Sequence, residues 1–118
     1  AEVLFQPALV GEEWSGVHQM LYDCVMKCDL GTRRDLFANI VLAGGCSMMP
    51  GFVERTEKEL KLLAPAASKL KFAAPADRQF SVWTGGSILA SLSTFQQTSV
   101  SKAEYDEFGP KIVHRKCF

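Results

Sequence analysis

Residues 40–51 read IVLAGGCSMMPG, and this stretch carries the strongest local signal in the chain. The apolar run 40–43 is too short for a helix and is rich in β-branched residues, which is typical of a buried strand. Gly44 and Gly45 follow it directly, and Pro50-Gly51 introduces a helical pattern. The sequence therefore predicts a strand that leads into a glycine turn and then a helix.

The helix that follows is amphipathic, and a second strand comes after it. Its apolar face consists of Phe52, Leu60 and Leu63. Opposite charges lie four residues apart on the solvent side, in the pairs Glu54–Lys58 and Glu57–Lys61. Residues 70–73 form a second apolar run that Pro75 ends. Two strands separated by a helix predict an α/β unit.

Residues 17–28 show one helical stripe of apolar side chains: Val17, Met20, Leu21, Cys24, Val25 and Cys28. Asp29-Leu30-Gly31 is expected to end this helix, and Thr32 with Asp35 predicts the cap of a short second one. Upstream, residues 5–16 are interrupted by Pro7 and two glycines and read as a loop. Its apolar residues either fold back on their own domain or contact a partner.

The C-terminal third is predicted to be helical. Gly85 and Gly86 interrupt a helical pattern over 82–92 at a cost of about 2 kcal/mol relative to alanine, which implies that another backbone passes close by. Ser101 and Glu104 have the spacing of a capping box, and Gly109-Pro110 ends that helix. Residues 111–118 are expected to form a last helical turn.

Composition excludes several classes of function. The formal net charge is zero, so no overall field attracts nucleic acid or an anionic membrane. Hydrophobic residues make up 47% of the chain, as in a folded protein, yet no apolar run approaches the roughly 18 residues of a membrane span. The four cysteines form no C-x-x-C pair, and a zinc site joining His18 to Cys24 and Cys28 would need different faces of one helix. We expect a cytoplasmic protein with reduced thiols and no metal site.

The glycine turn is the only local motif with a chemical mechanism. Glycines allow a ligand to approach the backbone, and a helix N-terminus offers free N–H groups. The turn lacks the Lys-Ser/Thr of a P-loop and the third glycine of a dinucleotide fingerprint, so the local pattern alone favours a plain tight turn over a ligand site. His18 and His114 have no serine nucleophile in a recognisable elbow, and no catalytic residue is expected.

Three longer strings resemble the C-terminal part of the actin family: MKCD (26–29), GGSILASLSTFQQ (85–97) and GP followed after Lys111 by IVHRKCF (109–118). The resemblance runs from Phe5 to Phe118 without insertion or deletion. It implies the α/β, ribonuclease-H-like ATPase fold that actin shares with hexokinase and the Hsp70 chaperones, and this chain is expected to hold only part of it. Residues 1–79 would belong to the inner lobe and residues 80–118 to the outer lobe.

On that resemblance, the turn 44–49 lines a nucleotide pocket. The implied contacts to ATP or ADP are Gly44, Gly45, Cys46, Met48, Met49 and Gln79. The family usually has threonine at Cys46, tyrosine at Met49 and lysine at Gln79, so loss of the aromatic ring and the cation is expected to alter affinity and base selectivity. The accompanying Mg or Ca ion and the water-positioning residues would be held upstream, so slow ATP hydrolysis would belong to the parent protein and not to this segment.

The resemblance also implies partner surfaces. The cleft that receives amphipathic helices of actin-binding proteins, of the profilin, gelsolin, cofilin or myosin type, would comprise Thr84, Ile88, Leu89, Leu92 and Thr94. Ordinary core packing of Ile88 and Leu89 is the alternative. Thr98 replaces a methionine at the rim of this cleft. Loop 5–17 resembles the plug between filament strands, and its filament contacts would be Leu9, Val10 and, farther along, Asp29.

Gly31 replaces an aspartate near the longitudinal contact of the filament, and Cys117 matches a reactive thiol of the family. The function implied is that of a cytoskeletal, ATP-binding subunit that polymerises with other actin subunits. Two alternatives stay open, and the departures at Gly31, Met49, Gln79 and Thr98 motivate the first of them. One is a fixed, non-polymerising subunit of an axonemal or chromatin complex, and the other is an isolated partner-binding fragment.

Overall fold

The computed structural model describes residues 1–116. The expected thiol at Cys117 and the end of the last helical turn lie outside these residues. The chain divides into two compact units, Ala1–Val82 and the residues from Trp83 onward. The assignment of residues 1–79 and 80–118 to two lobes of a larger protein stays a prediction.

The first unit contains three helices and two short strands: α1 (Val17–Met26), α2 (Leu30–Phe37), β1 (Ile40–Val41), α3 (Phe52–Leu63) and β2 (Phe72–Ala73). Short 3₁₀ turns lie at Glu2–Leu4, Pro7–Val10, Gly45–Met48 and Arg78–Phe80. The strands are parallel, with Ile40 opposite Phe72 and Val41 opposite Ala73, and α3 lies in the crossover between them. The predicted order of strand, glycine turn, helix and strand is confirmed, although each strand has two residues rather than four.

The core of the first unit lies where the helices meet the sheet. Its buried members are Val25, Phe37, Ile40 and Leu60, with partly buried Leu21, Tyr22, Ala64, Leu70 and Phe72 packed against them. Leu60 has an exposed fraction of 0% and Phe37 of 1%. Burial of such apolar surface is the main stabilising contribution to this unit.

The predicted helix α1 is confirmed, but it ends at Met26 and not all residues of its apolar stripe are buried. Val25 is buried, but Met20, Cys24 and Cys28 on the same predicted stripe are exposed. The helix packs instead along the edge formed by Leu21, Tyr22 and Val25. Single apolar side chains are common on protein surfaces. The six apolar positions of the stripe therefore predicted a wider buried face than α1 has.

The prediction for the start of α2 is also wrong. The helix begins at Leu30 with Asp29 as its N-cap residue, so Thr32 lies inside the helix. The Thr32 hydroxyl donates a hydrogen bond to the Asp29 carbonyl oxygen at 2.9 Å. Gly31 continues the helix rather than ending the previous one, because glycine costs a helix only about 1 kcal/mol.

On α3, Phe52 and Leu60 are buried and Leu63 is half-buried, as the pattern predicts. The Glu57–Lys61 ion pair forms at 2.6 Å. Within residues 1–116 no ion pair joins Glu54 to Lys58, so that prediction is wrong. Long charged side chains on the exposed side of a helix can adopt several conformations, because exposed ion pairs contribute little free energy.

The second unit contains short helices. The helix α4 (Ser81–Ser91) runs across the division at Val82, and α5 (Phe95–Thr98), α6 (Lys102–Phe108), a 3₁₀ turn (Gly109–Ile112) and α7 (Val113–Lys116) follow. The prediction of a close backbone at Gly85 and Gly86 is wrong for this chain, since a Cβ at either would meet no heavy atom of the described residues within 4 Å.

The predicted capping box opens α6. The Glu104 N–H donates to the Ser101 hydroxyl at 3.3 Å, and the Ser101 N–H donates to the Glu104 carboxylate at 2.9 Å. The Lys116 ammonium also contacts this carboxylate at 2.6 Å. Together with buried Ile112, these contacts connect the start of α6 to the last described turn of the chain.

Candidate functional site: a glycine turn, an apolar loop and an exposed helix face

Residues 44–49, here called the glycine turn, follow the carboxyl end of β1. Gly44 has φ +92°, a conformation that residues with a Cβ rarely adopt, and Gly45–Met48 then form a 3₁₀ turn. Ser47 closes the turn, because its N–H and its hydroxyl both donate to the Gly44 carbonyl oxygen, at 3.1 and 2.7 Å. The glycine is therefore required by the backbone, and the simple reading of a tight turn is correct as far as its geometry goes.

Arg78 fastens the glycine turn to the segment that follows β2. Its guanidinium donates to the Ser47 carbonyl oxygen at 2.6 Å from Nη2 and to the Ser47 hydroxyl at 3.0 Å from Nε. Its Nη1 donates to the Pro75 carbonyl oxygen at 3.1 Å, while its own carbonyl accepts from the Gly44 N–H at 2.9 Å. The sequence gives no motif for Arg78, and neither Arg78 nor Ser47 was predicted.

These contacts place the 3₁₀ turn that contains Gln79 next to the glycine turn. Gln79 lies exposed within the 3₁₀ turn Arg78–Phe80. Cys46 is exposed, whereas Met48 and Met49 are half-buried. The two stretches of sequence that hold the predicted nucleotide contacts are therefore neighbours in space.

The glycine turn has an open side. A Cβ on Gly44 or Gly45 would meet nothing within 4 Å. The N–H groups of Gly45 and Cys46 find no hydrogen-bond partner within the described residues. Free backbone donors beside glycines suit a ligand with hydrogen-bond acceptors, and the methionine side chains suit an apolar ring.

Residues 1–116 do not bring together the side chains that a bound metal cation needs. No group of three or more histidine, cysteine, aspartate or glutamate side chains is placed to hold a metal ion there. Hard cations such as Mg²⁺ need several oxygen ligands, so these residues do not fit that role.

The loop at residues 5–17 is closed at its base. Phe5 is buried between the rings of His18 and Phe52, each with its centroid 5.8 Å away, and the Arg55 guanidinium lies 5.0 Å over it. The Gly16 backbone packs so tightly on the Phe5 carbonyl oxygen that a Cβ there would overlap it. Phe5 thus folds back on its own domain.

The tip of this loop behaves differently. Leu9, Val10 and Trp14 are exposed by 62%, 58% and 63%. Leu9 and Val10 lie in the 3₁₀ turn Pro7–Val10, which Gly11 ends at φ +81°. The loop therefore presents three large apolar side chains on a fixed base. Asp29, the third expected filament contact, is the exposed N-cap of α2.

Arg55 also organises the charges at the base of the loop. Its guanidinium bonds the Glu2 carboxylate at 2.8 Å and the Glu59 carboxylate at 2.7 Å. Hydrogen bonding from Arg55 holds the pKa of Glu2 below its ordinary value, and the hydrogen bonds to Glu2 and Glu59 raise the pKa of Arg55. The N-terminal turn is in this way tied to α3.

The predicted partner residues lie on α4 and just after it. Thr84, Ile88 and Leu89 belong to the helix, Leu92 lies in the turn that follows, and Thr94 is the N-cap of α5. Ile88 is exposed by 60%, Leu89 by 54% and Leu92 by 50%. The alternative that Ile88 and Leu89 are core residues is wrong for the described part of the chain.

Residues 1–116 contain no helix that is both long enough and apolar enough to cross a membrane. The parallel β1–α3–β2 unit, with its glycine turn at the carboxyl end of β1, is an α/β arrangement. The family model described as Actin matches residues 1–118. The chain therefore belongs to the actin family, which implies the actin-type ATPase fold.

Proposed function

We propose that this chain serves in a cytoskeletal subunit that polymerises into filaments with other actin subunits. The observation that carries the proposal is the closed loop whose base is fixed by Phe5 and whose tip exposes Leu9 and Val10. Three large apolar side chains held together in water are costly unless a partner covers them. A fixed base also lowers the entropy that the loop loses on docking, which favours assembly.

ATP or ADP is the proposed ligand of the glycine turn. Gly44 and Gly45 admit close approach to the backbone, and the N–H groups of Gly45 and Cys46 are available as donors. Met48 and Met49 supply apolar surface, and Gln79 supplies a neutral amide near the turn. On the family resemblance, Mg or Ca would be bound by other parts of the protein, and the groups that hydrolyse ATP slowly would lie there as well.

The exposed face of α4 is the proposed docking surface for actin-binding proteins of the profilin, gelsolin, cofilin or myosin type. Thr84 and Ile88 are one turn apart on α4, and Leu92 lies just after the end of the helix. This i, i+4 spacing with apolar side chains suits an amphipathic helix laid against it.

The test is cosedimentation of the full-length protein in polymerising salt with ATP. The wild type should pellet, and Leu9→Asp should raise the concentration needed for assembly at least about tenfold, since a charge in the covered interface costs more than 1.4 kcal/mol. Leu62→Asp is the matched control, because Leu62 is 76% exposed on α3 and outside the loop. A wild-type protein that stays in the supernatant with nucleotide bound would refute assembly.

One structural observation favours the second candidate, a fixed subunit of a larger axonemal or chromatin complex. Gly31 is exposed on α2 and offers no side chain where the family usually has an aspartate at a longitudinal contact. Isolation of the protein only in complexes of fixed stoichiometry, with no homopolymer, would support this candidate over the first.

A further inference from the structure

The side chain of Arg78 directs its hydrogen bonds to a turn of the backbone rather than to carboxylates. It donates four bonds, to the carbonyl and hydroxyl of Ser47 and to the carbonyl of Pro75. No ion pair involves Arg78 within residues 1–116. Three of these bonds reach the carbonyl and hydroxyl oxygens of Ser47, 31 residues earlier in the sequence, so they fix the relative position of two loops.

We propose that Arg78 is the positioning residue of the glycine turn, which it holds in the conformation that receives the nucleotide. This inference rests on the proposed nucleotide role of the turn. Arg78 uses its fork of donors on protein oxygens, so it acts through Ser47 and Gly44 and not as a ligand of phosphate.

Ser47 is the element through which Arg78 acts. Ser47 is 5% exposed, and its hydroxyl accepts a hydrogen bond from Arg78 while donating one to the Gly44 carbonyl. The same Gly44 gives its N–H to the Arg78 carbonyl at 2.9 Å. Both the side chain and the backbone of Arg78 therefore fix the glycine at φ +92°, and the direction of the next two N–H groups depends on that angle.

The variant Arg78→Met removes the donors but keeps an unbranched side chain. Arg34→Met is the matched control, since Arg34 is exposed on α2 and no hydrogen bond of its side chain occurs within the described residues. Arg78→Lys keeps the charge but lacks the planar fork that reaches two oxygens at once. Ser47→Ala removes the hydroxyl while leaving Arg78 in place.

Hydrogen exchange read by mass spectrometry on the full-length protein tests the turn without any ligand. Arg78→Met should speed exchange about tenfold or more in the peptide that covers residues 44–49, whereas Arg34→Met should leave it unchanged. Unchanged exchange in Arg78→Met would overturn the proposal.

Binding of a fluorescent ATP analogue tests the positioning role. Arg78→Met should weaken binding about tenfold, which corresponds to one or two lost charged hydrogen bonds. Arg78→Lys should recover little of this loss, and Ser47→Ala combined with Arg78→Met should weaken binding no further than Arg78→Met alone. Full recovery with lysine would overturn the proposal, because it would show that charge and not geometry matters.

The two measurements separate the possible failures. Faster exchange with unchanged ATP binding would overturn the positioning role while leaving the proposed function standing. A wild-type protein that binds no ATP analogue would overturn the nucleotide role of the turn, and the exchange comparison would still decide whether Arg78 fixes its conformation.

Discussion

Truncation of Leu60 to alanine tests whether the first unit is held together by the core described above. Leu60 has no exposed surface and packs among Val25, Phe37 and Ile40. Leu62, two residues along the same helix, is 76% exposed, so Leu62→Ala is a matched control. Both variants replace leucine with alanine in the same helix, so the change in helix propensity is small in each. The difference between their stabilities therefore reports the burial of Leu60.

The magnitude follows from the three carbon atoms that the substitution removes. At about 0.8 kcal/mol for each buried methylene, the lost transfer free energy is roughly 2.4 kcal/mol. A residual cavity adds to this loss, because Phe37 and Ile40 belong to different elements and collapse only partly. We expect Leu60→Ala to lower the free energy of unfolding by about 3–4 kcal/mol, against less than about 0.5 kcal/mol for Leu62→Ala.

Urea unfolding followed by far-ultraviolet circular dichroism measures this difference. With a denaturant slope of about 1–3 kcal/mol per molar urea, the midpoint for Leu60→Ala should fall by at least about 1 M. Equal midpoints for the two variants would refute the reasoning, since they would show that Leu60 is not enclosed by the α1, α2 and β1 residues.

Two further predictions concern backbone and charge. Gly16→Ala should destabilise the protein by about 1–3 kcal/mol, because a Cβ would overlap the Phe5 carbonyl oxygen. Gly31→Ala should stabilise it by about 0.5–1 kcal/mol, since a Cβ there would meet nothing within 4 Å. Thermal melting of both variants checks this, and a lower melting temperature for Gly31→Ala would contradict it. Hydrogen bonds from Lys116 and then Ser101 lower the pKa of Glu104 from 4.5 to about 2, so its contribution to stability is complete above pH 4.5 and is lost as the pH falls toward 2. Melting temperatures of the wild type should therefore fall more steeply over that interval than those of Glu104→Gln, with Glu107→Gln on the same helix as the control, and identical slopes for the wild type and Glu104→Gln would contradict the assignment.

The parts of the fold that were predictable have local causes. The strand at Ile40, the glycine pair and the amphipathic α3 are read from adjacent residues, and each signal agrees with the next. The capping box at Ser101 and Glu104 is likewise complete within four residues. Such features need no knowledge of distant parts of the chain.

The parts that failed depend on choices that the sequence leaves open. Asp29 and Thr32 are both good capping residues, and only the extended backbone of Asp29 selects it as the N-cap. Arg55 bonds Glu2, 53 residues away, which no helix spacing indicates. Neither does any local pattern show whether Gly85 and Gly86 have neighbours.

The same limit applies to the candidate site. The glycine turn was located because glycines before a helix have a known physical use, but Arg78 in a loop after β2 carries no signal of its own. Its role is visible only when the two loops are seen together. The family resemblance predicts Gln79 as a contact but does not indicate the neighbouring Arg78, whose side chain forms the hydrogen bonds.

The parallel pair of strands has one more consequence. In residues 1–116 the sheet consists of β1 and β2 alone, so the outer edge of each strand has peptide groups that no neighbouring strand completes. Val41 on β1 is 69% exposed, so an apolar side chain lies beside the unpaired edge of this strand. Parallel strands are normally buried on both faces of the sheet. An exposed strand edge of this kind can form backbone hydrogen bonds with another extended polypeptide. Residues 1–118 alone should consequently aggregate at high concentration, unless another strand, from the same protein or from a chaperone, pairs with the exposed strand edge.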